Sequence, residues 1–285
     1  MLTQNDVIRF FTDQLEAWPE VRDRFDALDD VLNRRIDIDG FPVTITHNPS
    51  RIRSSAAKVD KASIAARPCF LCDANRPAEQ RHLDWEGYRI LVNPFPILPQ
   101  HFTITAREHR PQSIAGAIGG MTSLALLLPD FAIFYNGPAC GASAPDHFHF
   151  QAVRREPLPM MSADTLPMGV VRLTGDEATQ QRVDAVLARL PHEDGEQEAK
   201  VNIFCTAVGG VPMLTIIPRR RHRPDFYGED GMLVSPASID LAGVMVAARP
   251  EDFDKFTPET IRSIYSQLCF TQAELNTMLN DIIKQ

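Results

Sequence analysis

The sequence predicts an α+β protein whose antiparallel sheets carry helices packed on one side, and three features predict it. Several short runs alternate apolar and polar residues at the two-residue period of a strand, as residues 36–46 and 147–153 do. Other runs space apolar residues three and four apart, as Val7, Phe10, Phe11 and Leu15 do near the start and Ile261, Ile264, Tyr265 and Leu268 near the end. A faint repeat adds the third: residues 214–224 echo residues 102–111, each a strand running into a basic turn, which suggests duplication of one supersecondary unit. Two halves are therefore expected, residues 1–160 and residues 161–285.

Taken in order, Thr3-x-x-Asp6 is a capping box for the first helix. A second helix is expected after Pro19, ending near Arg34-Arg35. Residues 36–46 read as a hairpin turned by Asp39-Gly40. The polar stretch at 48–58 is either a solvated loop or a phosphate-contacting one, since Arg51, Arg53 and Lys58 sit among small hydroxyl residues. Strands follow at 88–92 and 101–105, then an apolar helix at 113–128 and a strand at 131–137. Beyond the prolines at 157, 159 and 167, a candidate connector, come a strand at 170–173, a helix at about 176–190 and a strand at 243–247. Thr257-Pro258-Glu259 opens the closing helix.

The bulk numbers set limits on function. Apolar content of 44% with 23% charged residues is that of a soluble globular chain able to bury a core. A net charge of −8 argues against nucleic acid and against an anionic membrane surface as partners. No apolar run is long enough to span a bilayer, and the first residues lack the basic and apolar regions of a secretory signal, so a cytoplasmic location is expected. Five cysteines, two of them spaced Cys69-x-x-Cys72, then favour metal or redox use over a disulfide framework. The pair makes half a zinc site. With no second CxxC present, its other ligands should be histidines.

The densest chemistry lies in His147-Phe148-His149-Phe150-Gln151, behind the loop Gly141-Ala142-Ser143-Ala144-Pro145-Asp146. On a strand, His147, His149 and Gln151 share one face while both phenylalanines point to the other. A small-residue loop can bring backbone N–H groups to an anion, and a neutral imidazole can attack phosphorus.

In the order Cys69-Phe-Leu-Cys72, Asn93-Pro-Phe, Arg107-Glu-His109, Phe134-Tyr-Asn136-Gly, Gly141-Ala-Ser143 and His147-x-His149-x-Gln151, the sequence resembles the transferase branch of the histidine-triad superfamily. That branch holds galactose-1-phosphate uridylyltransferases, diadenosine tetraphosphate phosphorylases and GDP-galactose phosphorylases. The likeness covers the N-terminal half well; the looser C-terminal match is nearest the GDP-galactose phosphorylases. It implies a uridylyltransferase-like fold of two histidine-triad-like halves, of which only the first carries the motif.

It also implies roles. His149 would be the nucleophile that takes a nucleotidyl group from a nucleotide donor. Gln151, standing where histidine-triad hydrolases have a third His, would donate a hydrogen bond to a phosphoryl oxygen, which favours transfer over hydrolysis. Asn136, Gly141 and Ser143 would hold the phosphates, with Asn93 near the ribose or base. Cys69, Cys72, His109 and His147 would hold a structural zinc. Pro94 stands where uridylyltransferases carry an acidic residue, and Asp146 is an extra residue before His147; both argue against uridine specificity.

The run Arg219-Arg220-Arg221-His222-Arg223 is either a solvated basic turn or, with Arg219 foremost, the cationic side of an acceptor site. The expected activity is transfer of a nucleotidyl group from a nucleoside diphosphate sugar or dinucleoside polyphosphate to phosphate or a sugar phosphate. A histidine-triad hydrolase and a non-catalytic nucleotide-binding scaffold are the alternatives. A homodimer is compatible with the resemblance, since relatives often dimerise.

Overall fold

The computed structural model describes residues 2–49, 61–193, 195–196 and 198–280. Helix α1 (Gln4–Ala17) starts at the expected box: the Thr3 hydroxyl accepts from the Asp6 N–H, and the Asp6 carboxylate accepts from the Thr3 N–H at 3.0 Å. Helix α2 (Pro19–Asp26) stops well before Arg34-Arg35. Those two arginines lie instead in β1 (Leu32–Ile38), which pairs with β2 (Phe41–His47). Tertiary contacts override the helical reading there, because the Arg34 guanidinium donates to the carbonyls of Phe253 and Phe256 and stacks on the Phe253 ring. The hairpin turn is as expected. Asp39 and Gly40 both take positive φ, 56° and 88°, the backbone that matches strand twist in a two-residue turn.

A short helix, α3 (Lys61–Ala65), precedes the Cys69 loop. Then follow β3 (Leu83–Trp85), β4 (Tyr88–Val92), β5 (Phe102–Ala106), α4 (Ile118–Leu127), β6 (Phe131–Asn136) and β7 (His149–Arg154). Helix α4 begins five residues later than its apolar run suggests. Residues 113 and 114 are held out of it by Glu198, whose carboxylate accepts from the Ser113 hydroxyl and the Ile114 N–H. The remainder is β8 (Val171–Thr174), α5 (Gln180–Leu187), β9 (Val201–Val208), β10 (Val211–Pro218), α6 (Ser238–Leu241), β11 (Val244–Ala247), α7 (Pro250–Lys255), α8 (Pro258–Leu268) and α9 (Gln272–Met278).

Eight strands form one antiparallel sheet in the order β3-β4-β5-β7-β6-β9-β10-β8. It runs without a break from residues 83–154 into residues 171–218, because β6 pairs with β9 from Ile133↔Cys205 to Asn136↔Asn202. A second sheet, β1-β2-β11, joins the ends of the chain through the parallel pair β2 and β11.

Each face of the large sheet has its own core. On one, Phe148, Phe150, Phe102, Ile133 and Ile203 pack with α1, α2, α4 and α5. On the other, Ala132, Phe134, Val153 and Phe204 pack with the three-stranded sheet and α8. Phe148 and Phe150 are fully buried and meet edge to face at 4.9 Å. Burial of each is worth about 1.5–3 kcal/mol, and it anchors β7 with the opposite side chains turned toward the second face.

Candidate active site and metal centre

Strand β7 starts at His149, and the sheet divides at that point. The β6–β7 ladder runs from Phe131↔Arg154 to Phe134↔Gln151 and stops, although the same register would pair Asn136 with His149. Between them sits the side-chain amide of Gln112, wholly buried. Its Oε1 accepts from the His149 N–H at 2.8 Å, and its Nε2 donates to the carbonyls of His149 at 3.0 Å and Asn136 at 2.9 Å. One side chain thus replaces a rung of backbone pairing, and the strands part to admit the loop at 137–146.

His149 is 3% exposed. Burial lowers its imidazole from the ordinary 6.5 to about 4, so the ring is neutral at pH 7. Nδ1 lies 2.9 Å from the His147 carbonyl oxygen. A carbonyl can only accept, so Nδ1 carries the proton and Nε2 keeps its lone pair. Gln151, two residues on and on the same face, has its Oε1 2.8 Å from Nε2 of His101.

The other expected substrate contacts differ in what they touch. Asn93 accepts from the Phe95 N–H at 2.9 Å and donates to the Thr103 hydroxyl at 3.0 Å, which seats it beside His101. Asn136 is buried, and its Oδ1 accepts from Asn202 at 2.8 Å and from the N–H and hydroxyl of Ser238 at 3.0 and 2.7 Å. Arg219 is also buried. It donates to Asn202 and to the carbonyls of Arg221, His222 and Pro236, so both of its terminal nitrogens are engaged by the protein itself. Gly141 has φ +97°, and a Cβ there would lie 2.5 Å from that of Ala237; only glycine fits this approach of the loop to α6. Ser143 is exposed on the same loop. Arg51 and Lys58 lie outside the described residues.

Four residues converge beside the nucleophile strand. The ligand atoms of Cys69, Cys72, His109 and His147 all lie within 4.8 Å of one another. Nδ1 of His147 is 3.3 Å from the Cys69 sulfur and 3.5 Å from that of Cys72, and Nδ1 of His109 is 3.2 Å from the Cys72 sulfur. Zinc bonds of about 2.3 Å to sulfur and 2.0 Å to nitrogen place tetrahedral ligands roughly 3.5 Å apart, so the donors fit such an ion with little movement. Nε2 of His147 is 2.9 Å from the Ala106 carbonyl oxygen, which makes it the protonated nitrogen and leaves Nδ1 for a metal. Burial pushes the Cys69 thiol up to about 11, a proton that a bound cation would displace. The cluster could bind a metal. Asp146, the extra residue before His147, pairs with Arg67 at 2.8 Å and fastens the loop to the chain just before Cys69.

Sequence reasoning missed Gln112, His101, Asn202 and Ser238. Each is a lone polar residue whose partners come from other elements, and no spacing marks it.

These features define an α+β chain with a Cys₂His₂ cluster next to a buried, neutral histidine at a split in a sheet. The family model described as "Domain of unknown function (DUF4922)" matches residues 10–154, half of the chain, and the chain belongs to that family. No curated protein matches the sequence. Among solved structures, yeast Ap4A phosphorylase Apa2 is similar with a TM-score of 0.60 at 16% identity, over 90% of this chain and 97% of that one. The same enzyme in complex with Ap4A gives 0.58 at 15% identity, over 95% and 99%. Its complex with AMP gives 0.54 at 14%, over 89% and 96%. The likeness shows the fold: α+β and similar to that of yeast Ap4A phosphorylase Apa2. Among the described residues, no helix is long and apolar enough to cross a membrane.

Proposed function

We propose that this chain is a nucleotidyltransferase of the phosphorylase kind, acting on a dinucleoside polyphosphate through a covalent nucleotidyl-histidine. The observation that carries the reading is the tautomer of His149: neutral, with Nδ1–H bound to a carbonyl and the Nε2 lone pair available. Support comes from the fold shared with an enzyme solved with AMP and with Ap4A.

In the first step Nε2 bonds to the α-phosphorus while the bond from that phosphorus to the bridging oxygen breaks, and the remaining nucleoside polyphosphate leaves. The ring becomes cationic, and its Nδ1–H strengthens the bond to the His147 carbonyl. Gln151 donates to a non-bridging oxygen, and N–H groups of the loop around Gly141 and Ser143 hold the phosphates. In the second step an oxygen of inorganic phosphate attacks the same phosphorus, the P–N bond breaks, and a nucleoside diphosphate departs. Asn93 orients the nucleoside. Asn136 and Arg219 act from behind, by fixing the ends of β6 and β10 against α6. Cys69, Cys72, His109 and His147 would hold a structural zinc, which would tie the loop to β7. Residues 1–160 carry the chemistry, and residues 161–285 complete the sheet and its second face.

The test is intact-mass spectrometry after incubation with Ap4A, with UDP- and GDP-sugars in parallel and His149→Asn as the control. An AMP adduct on wild type alone, discharged by phosphate, is the expected result. Adduct discharge at the same rate without phosphate or sugar phosphate would make the enzyme a hydrolase. Tight nucleotide binding with no adduct from any donor would make it a scaffold and remove the mechanism.

A further inference from the structure

A phosphoryl oxygen only accepts hydrogen bonds, so a glutamine beside it helps with its NH₂ end and repels with its oxygen. An amide can present either end; something must choose. At Gln151 the choice is made from within the sheet. His101 is wholly buried, immediately before β5. Its Nδ1 faces the Ile97 N–H at 3.3 Å, a group that can only donate, so Nδ1 accepts and the ring proton sits on Nε2. Nε2 is 2.8 Å from Oε1 of Gln151. Nδ2 of Asn93 also approaches Nε2, at the longer distance of 3.4 Å, while giving its shorter bond of 3.0 Å to Thr103. The imidazole is further held against the Phe134 ring, with centroids 6.2 Å apart. The bond to His101 therefore takes the amide oxygen of Gln151, and the NH₂ group is left for the face that bears His149.

We propose that His101 is the positioning residue that sets the polarity of Gln151 toward the substrate phosphate. The proposal rests on the reading of the site given above, and it makes His101 act through Gln151 alone. Glutamine at position 101 can put an NH₂ group close to where Nε2 lies and supply the same bond. Phenylalanine keeps a ring of similar size but offers no donor, and Gln151 then turns freely.

The experiment is a set of rates of AMP-adduct formation at saturating Ap4A for His101→Phe and His101→Gln, each in wild type and in Gln151→Ala. Melting temperatures separate folding from rate. In the wild-type background His101→Phe is expected to slow the step on the order of tenfold, less than the loss of a whole transition-state donor. His101→Gln restores most of that rate, and in Gln151→Ala neither change matters. His101→Leu serves the same purpose should the phenylalanine variant not fold. A His101→Phe rate equal to wild type would overturn the proposal. So would a loss that persists in full on Gln151→Ala, or His101→Gln as slow as His101→Phe. Absence of any adduct on wild type would instead overturn the underlying reading of the site, and the two failures are distinguishable.

Discussion

Replacing Gln112 with leucine tests the idea that a side chain stands in for a rung of the sheet. Leucine matches the amide in size, so little volume is lost, but all three of its hydrogen bonds go. They leave the His149 N–H and the carbonyls of His149 and Asn136 without partners at a buried position. An orphaned buried polar group costs about 1–3 kcal/mol, so three of them predict a loss on the order of 3–9 kcal/mol. That range holds if β6 and β7 stay apart, and the loss falls below it to the extent that they close and pair directly. Urea unfolding of wild type and variant, followed by fluorescence and circular dichroism, measures it. The expected outcome is a large fall in midpoint with an unchanged slope. A loss under about 1 kcal/mol would show that the strands re-pair at no cost, and would refute the view that Gln112 holds the split open. Gln112→Glu sharpens the test, because its carboxylate would face two carbonyl oxygens and should destabilise more at pH 8 than at pH 5.

Four further predictions rest on the same geometry. Purified protein should carry one zinc per chain by elemental analysis; Cys72→Ser should lose it, and chelators should lower the melting temperature of wild type but not of that variant. Adduct formation should stay flat from pH 7 down toward 5 and fall near the depressed His149 value of about 4, where protonation consumes the lone pair, rather than near 6.5. The linked effect on stability has a fixed sign: an unfolded His149 takes up its proton first, so this contribution is complete above 6.5 and is lost as pH falls through 4, which acid titration of wild type against His149→Asn checks. Gly141→Ala forces a Cβ to within 2.5 Å of Ala237 at a positive φ, and should cost roughly 2 kcal/mol in thermal or denaturant unfolding.

Much of this protein could be read from its residues because the information is local. A capping box, an Asp-Gly turn and a CxxC each act over a few positions, and the structure places each of these as expected; the strand that alternates His with Phe forms too, but it begins at His149, and His147 and Phe148 lie in the loop before it. That the CxxC thiolates would be joined by histidines follows from their chemistry, whereas the choice of His109 and His147 rested on the family resemblance. Composition alone did not reveal how α2 ends. Arg34 and Arg35 suit a helix, and only the carbonyls of Phe253 and Phe256, more than two hundred residues away, make the segment a strand. Nor could the sequence reveal that Arg219 is buried against carbonyl groups, that Asn136 is bound by Ser238, or that Gln112 and His101 orient His149 and Gln151. A polar residue's role depends on which partner meets it. Propensity and periodicity describe a residue's neighbours along the chain, whereas a hydrogen bond between distant strands exists only once the sheet has brought them together. The sequence determined which groups can do the chemistry; the tertiary structure decided which way they face.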